Sequence, residues 1–107
     1  KVTCTCVRVP VYRSHSISVT AQFEQPVDLE KARQAYEGKP GVALMDNPVE
    51  GLWPTPLDST NGDTCYVGRM RRDMAVDNAL TLWVVGDQVR KGAALNAVQI
   101  AELLINR

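Results

Sequence analysis

Arg8 and His15 are the side chains whose types and spacing best suit chemistry: a guanidinium that can fork onto a carboxylate and, seven residues on, the only imidazole of the chain. They bracket the stretch Arg8-Val9-Pro10-Val11-Tyr12-Arg13-Ser14-His15, which leaves a run of β-formers, turns between Pro10 and Ser14, and enters a second run that alternates. In that second run His15, Ile17, Val19, Ala21 and Phe23 share one face; Ser14, Ser16, Ser18, Thr20, Gln22 and Glu24 share the other. If the two runs pair as a hairpin centred between Val11 and Tyr12, Arg8 lies opposite His15, with Cβ atoms roughly 5 Å apart on one face. A fixed guanidinium beside an imidazole would hold a carboxylate substrate next to a general base. The same spacing also fits a plainer arrangement, a partly buried histidine with an exposed arginine nearby.

The elements that must position these groups read as follows. Residues Val2 to Val11 carry β-formers on both sides, which predicts a strand covered on both faces, ended by the donor-less Pro10. The second strand runs from about Ser14 to Glu24. Asp28 is a predicted N-cap for a helix from Leu29 to about Glu37, with Leu29, Ala32 and Tyr36 as its apolar stripe. Glu30, Lys31, Arg33, Gln34 and Glu37 are expected to face water, and Gly38 to close the helix. A short strand follows from Val42 to Met45. Residues 46–63, punctuated by Pro48, Gly51, Pro54, Pro56, Asn61 and Gly62, read as a long loop with Trp53 in the middle, either an interface anchor or a plug folded back. Thr64 to Met70 is a strand with Val67 and Arg69 on the face opposite Tyr66. Arg69, Arg71 and Arg72 are expected to be salt-bridged surface or interface residues rather than a phosphate site. Leu80 to Val85 is an apolar run typical of an interior strand.

The chain of 107 residues is one domain's worth, and its twelve basic and twelve acidic side chains cancel. No basic stripe invites nucleic acid, no cationic cluster suggests a membrane surface, and no apolar run reaches the ~18 residues of a membrane span. Without a signal-peptide pattern, a cytoplasmic location is expected. The abrupt start in a strand-like run suggests a piece of a longer protein. Of three cysteines, Cys4 and Cys6 lie on one side of the predicted first strand, about 6.6 Å apart along it, with parallel Cβ vectors that disfavour a disulfide. A metal held by Cys4, Cys6 and His15 would want a fourth ligand, so no metal site is expected. Reduced, partly buried thiols are the better account.

Three blocks carry a resemblance. Cys4-Thr5-Cys6-Val7-Arg8-Val9-Pro10-Val11 followed by His15-Ser16, then Val67-Gly68-Arg69-Met70-Arg71-Arg72-Asp73, then the run from Leu82-Trp83-Val84-Val85-Gly86-Asp87-Gln88 through Glu102 come in one order and span nearly the whole chain. Together they resemble the C-terminal half of the aspartate-semialdehyde dehydrogenases. The resemblance implies an α+β fold, a mixed or antiparallel sheet with helices on one face, as in the C-terminal domain of glyceraldehyde-3-phosphate-dehydrogenase-like enzymes. Residues 1–88 would be the catalytic and dimerisation part, and residues 89–107 a C-terminal helix that packs on an N-terminal dinucleotide-binding domain outside this chain.

The activity implied is the NADPH-dependent reductive dephosphorylation of β-aspartyl phosphate to aspartate semialdehyde, a step toward lysine, threonine and methionine, in a homodimer or homotetramer. Arg8 matches the family's substrate-carboxylate arginine, His15 its general acid/base, and Gln88 a cofactor-contacting position where many relatives have Asn. Asn96 is a weaker candidate. Many relatives have Gly where this chain has Ser14, so the turn before His15 is expected to differ slightly. The family's nucleophilic cysteine lies in an earlier segment, none of Cys4, Cys6 or Cys65 matches its motif, and the glycine-rich phosphate turn is missing. The chain alone is therefore expected to be inactive. A family relative without catalysis and a free-standing α+β interaction module are the alternatives.

The last predicted element is a helix from about Val89 to Ile105, in which ten of the thirteen residues from Ala93 to Ile105 are apolar. So much apolar surface needs cover on more than one side. Within this chain it is expected to dock on its own sheet, to fray after about Asn96 or, the favoured outcome, to pair with the same helix of another copy.

Overall fold

The computed structural model describes residues 1–105. Its centre is a four-stranded mixed sheet in the order β1-β4-β3-β2: β1 His15–Gln22, β2 Val42–Leu44, β3 Cys65–Arg72 and β4 Ala79–Gly86. Antiparallel pairing joins β1 to β4 and β4 to β3, while β2 runs parallel to β3. The apolar run of β4 takes an interior position, as its composition predicts. Val67, Met70, Ala79, Leu80 and Val85, all from β3 and β4, form the buried core. The α+β class with a mixed sheet is what the resemblance implies.

Helix α1, Leu29–Gln34, starts where expected: the Asp28 carboxylate accepts from the N–H groups of Glu30 and Lys31. It ends sooner than expected, because Tyr36 N–H and Glu37 N–H bond to the carbonyls of Arg33 and Gln34 in a tightened last turn before Gly38 at φ 65°. Arg33 is not on a solvated face. Its guanidinium lies 2.6 Å from the nearly buried Asp46 and also donates to Met70 O.

That ion pair serves a bulge in β3. Gly68 faces Trp83 and Arg71 faces Thr81, so Arg69 and Met70 together oppose one residue of β4. Arg69 takes φ 54°, and the N–H groups of Arg69 and Met70 donate instead to the Asp46 carboxylate at 2.8 and 3.0 Å. The bulge removes Arg69 from the simple alternation with Val67 and sets its guanidinium over the Trp53 ring, 5.3 Å from the centroid. Among the described residues, Arg69, Arg71 and Arg72 form no ion pair, contrary to expectation; Arg71 donates to Arg69 O.

The 46–63 connection is less irregular than its composition suggests. Asn47 and Leu52 bridge a tight turn, and α2, Pro56–Ser59, is closed by a reciprocal Thr55–Asp58 capping box. Trp83 Nε1 donates to Pro54 O, which pins the loop on the sheet. Gly68 allows this approach: a Cβ there would stand 2.4 Å from both Met45 O and Pro54 Cδ.

At the start of the chain an expectation is overturned. Residues 1–9 form no strand and are exposed throughout, so the Arg8–His15 hairpin does not exist. A β-rich run becomes a strand only with a ladder partner, and the chain before β1 is committed elsewhere, to groups beyond the end of β4. At the other end, a π-helical turn, Arg90–Ala94, leads into α3, Leu95–Ile105. The helix neither frays after Asn96 nor docks on the sheet, for none of its residues is buried and Leu103, Leu104 and Ile105 are largely exposed. The last two residues of the 89–107 segment lie outside the described residues. Among the described residues no helix is long and apolar enough to cross a membrane.

Candidate active site

His15 opens β1 opposite Gly86, the last residue of β4, so the imidazole stands where these two strands end. The side chain is exposed. The residue before it is fully enclosed: Ser14 is buried and takes φ 75°, a left-handed conformation natural to glycine. The turn at this position therefore has the backbone that glycine would supply, and Ser14 meets its steric cost with hydrogen bonds. Its hydroxyl accepts from Ser59 Oγ at 2.9 Å and lies 3.2 Å from Thr60 Oγ1. Thr60 Oγ1 donates to Pro56 O, so the hydroxyls line up as donors from Ser59 through Ser14 and Thr60 to that carbonyl.

Gln88 is brought to the same place. Its Oε1 accepts from Ser14 N–H at 2.6 Å, which fixes the amide orientation and leaves the –NH2 group as the donor available to a ligand. His15 and Gln88 thus stand on adjoining turns, joined through the Ser14 N–H. Arg8 does not join them in this structure: it lies in the exposed segment 1–9, and among the described residues no hydrogen bond or ion pair ties it down. Asn96 is exposed on α3, where it lies 3.5 Å from Lys91 Nζ. Cys4 and Cys6 are exposed and Cys65 half-buried, so burial of the thiols holds only for the last.

The residue that organises the junction is Asp87, which spacing alone did not single out. Its side chain is fully buried and accepts four bonds: from Arg13 Nε at 2.7 Å, Asn61 N–H at 2.8 Å, and the N–H groups of Val89 and Arg90, both at 2.9 Å. Burial alone would raise the pKa of this carboxyl, but the Arg90 N–H, the Arg13 guanidinium and the N–H groups of Asn61 and Val89 outweigh it and hold the pKa well below the usual range. A signal for the last two contacts was present in the sequence, since an Asp just before a predicted helix start is a capping residue. Nothing local signals Arg13, 74 positions away. An exposed Arg90–Asp63 ion pair adds a second tie at the helix start.

The semialdehyde dehydrogenase dimerisation-domain model matches residues 1–91. The chain belongs to that family. It is 50% identical over its whole length to an aspartate-semialdehyde dehydrogenase of Synechocystis sp., covering 32% of that protein, and 46% identical over 98% of its length to one of Aquifex aeolicus, covering 31%. Among solved structures, aspartate semialdehyde dehydrogenase II of Vibrio cholerae, complexed with ASA, superposes with a TM-score of 0.85 at 43% identity, over 95% of this chain and 30% of that one. The chain therefore spans about a third of the length of the dehydrogenases it matches. In this chain the Ser14–His15 turn and the Asp87–Gln88 turn stand side by side within the matched residues.

Proposed function

We propose that this chain is the substrate-binding and dimerisation part of an aspartate-semialdehyde dehydrogenase. The complete enzyme reduces β-aspartyl phosphate to aspartate semialdehyde with NADPH, releases phosphate and works as a homodimer or homotetramer in the cytoplasm. What carries this reading is the likeness to aspartate-semialdehyde dehydrogenases over the whole chain, together with the juxtaposition of His15 and Gln88 on adjoining turns.

In this reading His15 is the general acid/base. An imidazole suits that work because its ordinary pKa lies near neutrality, and its place at the exposed end of β1 leaves it reachable by substrate. Arg8 supplies the fork for the substrate carboxylate, once the 1–9 segment is ordered by the remainder of the enzyme. NADPH, when bound, supplies the hydride. The residues fit such a cofactor on one observation: Gln88 Oε1 accepts from Ser14 N–H, which leaves the amide –NH2 as a donor for an acceptor on the cofactor. The nucleophilic cysteine and the dinucleotide-binding domain belong to the part of the relatives that this chain does not cover, and α3 is read as the helix that packs on that domain.

The test is kinetic and uses the complete dehydrogenase. His15→Ala should lower kcat by about 10²–10⁴-fold, whereas Arg8→Lys should mainly raise the KM of the carboxylate substrate because the bidentate fork is lost. Equal, modest changes of both parameters in both variants would sink the division of roles.

A further inference from the structure

His15 has no partner of its own to aim it: among the described residues its side chain enters no hydrogen bond or ion pair, and it is exposed. Its direction must come from the backbone that launches it. That backbone is held at three points. Arg13 is held by Asp87 Oδ2, Ser14 N–H by Gln88 Oε1, and the Ser14 hydroxyl by Ser59 and Thr60. Two of the three come from consecutive residues just beyond β4.

The Asp87 carboxylate joins these points. Oδ2 takes Arg13 Nε and Asn61 N–H, the latter next to Ser59 and Thr60 in the chain, while Oδ1 takes Val89 and Arg90 N–H and so folds the turn that carries Gln88. We propose that Asp87 is a positioning residue of the active site, setting the spacing between the His15 imidazole and the Gln88 amide through its contacts on both sides of the turn. The inference rests on the reading of His15 as acid/base and goes beyond it, for Asp87 is fully buried and its carboxylate is engaged by four donors of this chain. A misplacement of about 1 Å far from the chemistry can cost about 10²-fold in rate.

The variants that test it are Asp87→Asn, which keeps the shape and removes the charge, and Arg13→Gln, which leaves the carboxylate's other three contacts in place. In the complete dehydrogenase each should lower kcat about 10- to 100-fold while the substrate KM stays within about twofold. The double variant should be no worse than the worse single, because Arg13 acts through its contact with Asp87, which Asp87→Asn already weakens. In the 107-residue chain, Ser14 amide exchange should quicken about tenfold or more in both variants, a readout independent of activity. Unchanged kcat in both variants, or KM moving together with kcat, would overturn the proposal, as would unchanged Ser14 exchange. If Asp87→Asn fails to fold, Arg13→Gln decides alone by the same criteria. The two readings fail separately. Unchanged kcat in His15→Ala removes the acid/base role and this proposal with it, whereas a crippled His15→Ala beside unaffected Asp87→Asn and Arg13→Gln removes only the positioning role.

Discussion

The stretch after β4 contains two regions built on opposite principles. At its start, Asp87 and Gln88 collect contacts from Arg13, Ser14, Asn61, Val89 and Arg90, and every one is internal to the chain. A few residues later α3 offers Val98, Ile100, Leu103, Leu104 and Ile105, and buries none of them. Polar contacts with directional demands are completed within the chain, while the apolar surface of α3, which needs only area, stays uncovered among the described residues. The difference separates a turn beside His15 whose hydrogen bonds are met within the chain from a terminal helix, beyond the residues 1–91 that match the dimerisation-domain model, whose apolar side is not covered.

That contrast can be broken by substitution. Asp87→Ala should lower the thermal midpoint of the chain further than any other change named here, since it strands a guanidinium and three backbone N–H groups at once. A midpoint close to wild type would mean that the junction holds itself together by other means. Val85→Ala, in the fully buried position just before Gly86 and Asp87, should cost about 2 kcal/mol in urea unfolding.

A smaller effect is expected from pH. The folded pKa of Asp87 is depressed, so its contribution is complete above the unfolded value of about 3.9 and is lost as pH falls below that toward the folded value. Asp58, lowered by its bonds to Thr55, and Asp73, lowered by its bonds to Thr81, Ala75 and Val76, act in the same direction. Unfolding midpoints followed from about pH 5 to pH 2 should therefore decline, and less steeply in Asp87→Asn. The smallest effect belongs to α3. Leu103→Ser or Leu104→Ser should change the stability of this chain by no more than about 0.5 kcal/mol, but in the complete enzyme, where the helix is proposed to be covered, the same change should cost about 2 kcal/mol or more. Equal effects in both settings would place the helix in solvent in each.

Local signals were legible in the sequence and remote ones were not. The period-2 pattern set β1 within two residues, Asp28 and Gly38 marked the ends of the first helical segment, and the apolar run from Leu80 identified the interior strand. Residues 1–9 failed because strand propensity says nothing about whether a partner edge is occupied. The bulge at Arg69 failed because Val67-Gly68-Arg69-Met70 keeps a plausible alternation, while the carboxylate that stabilises the bulge comes from Asp46, more than twenty positions earlier. Of the candidate site, His15 and Gln88 were named from their resemblance to a family, and the structure places them on adjoining turns. Asp87, which joins them, depends on a contact to Arg13 that no window of sequence contains.

The π-helical turn at Arg90–Ala94 gives α3 a phase as well as a start. Gly92 N–H reaches Asp87 O, Ala94 N–H reaches Val89 O and Leu95 N–H reaches Arg90 O, each spanning five residues instead of four. Such a turn accommodates one residue more than an α-helical one, and each residue of an α-helix corresponds to about 100° of rotation. The azimuth at which α3 presents Val98, Leu103 and Leu104 is thus written into a five-residue irregularity beside Asp87, before any partner arrives. Removing one residue from 90–94 would let this turn close with α-helical spacing and leave the azimuth of α3 as it is, whereas drawing the turn into α-helical spacing with all five residues kept would swing its apolar side by about 100° without changing a single side chain of α3.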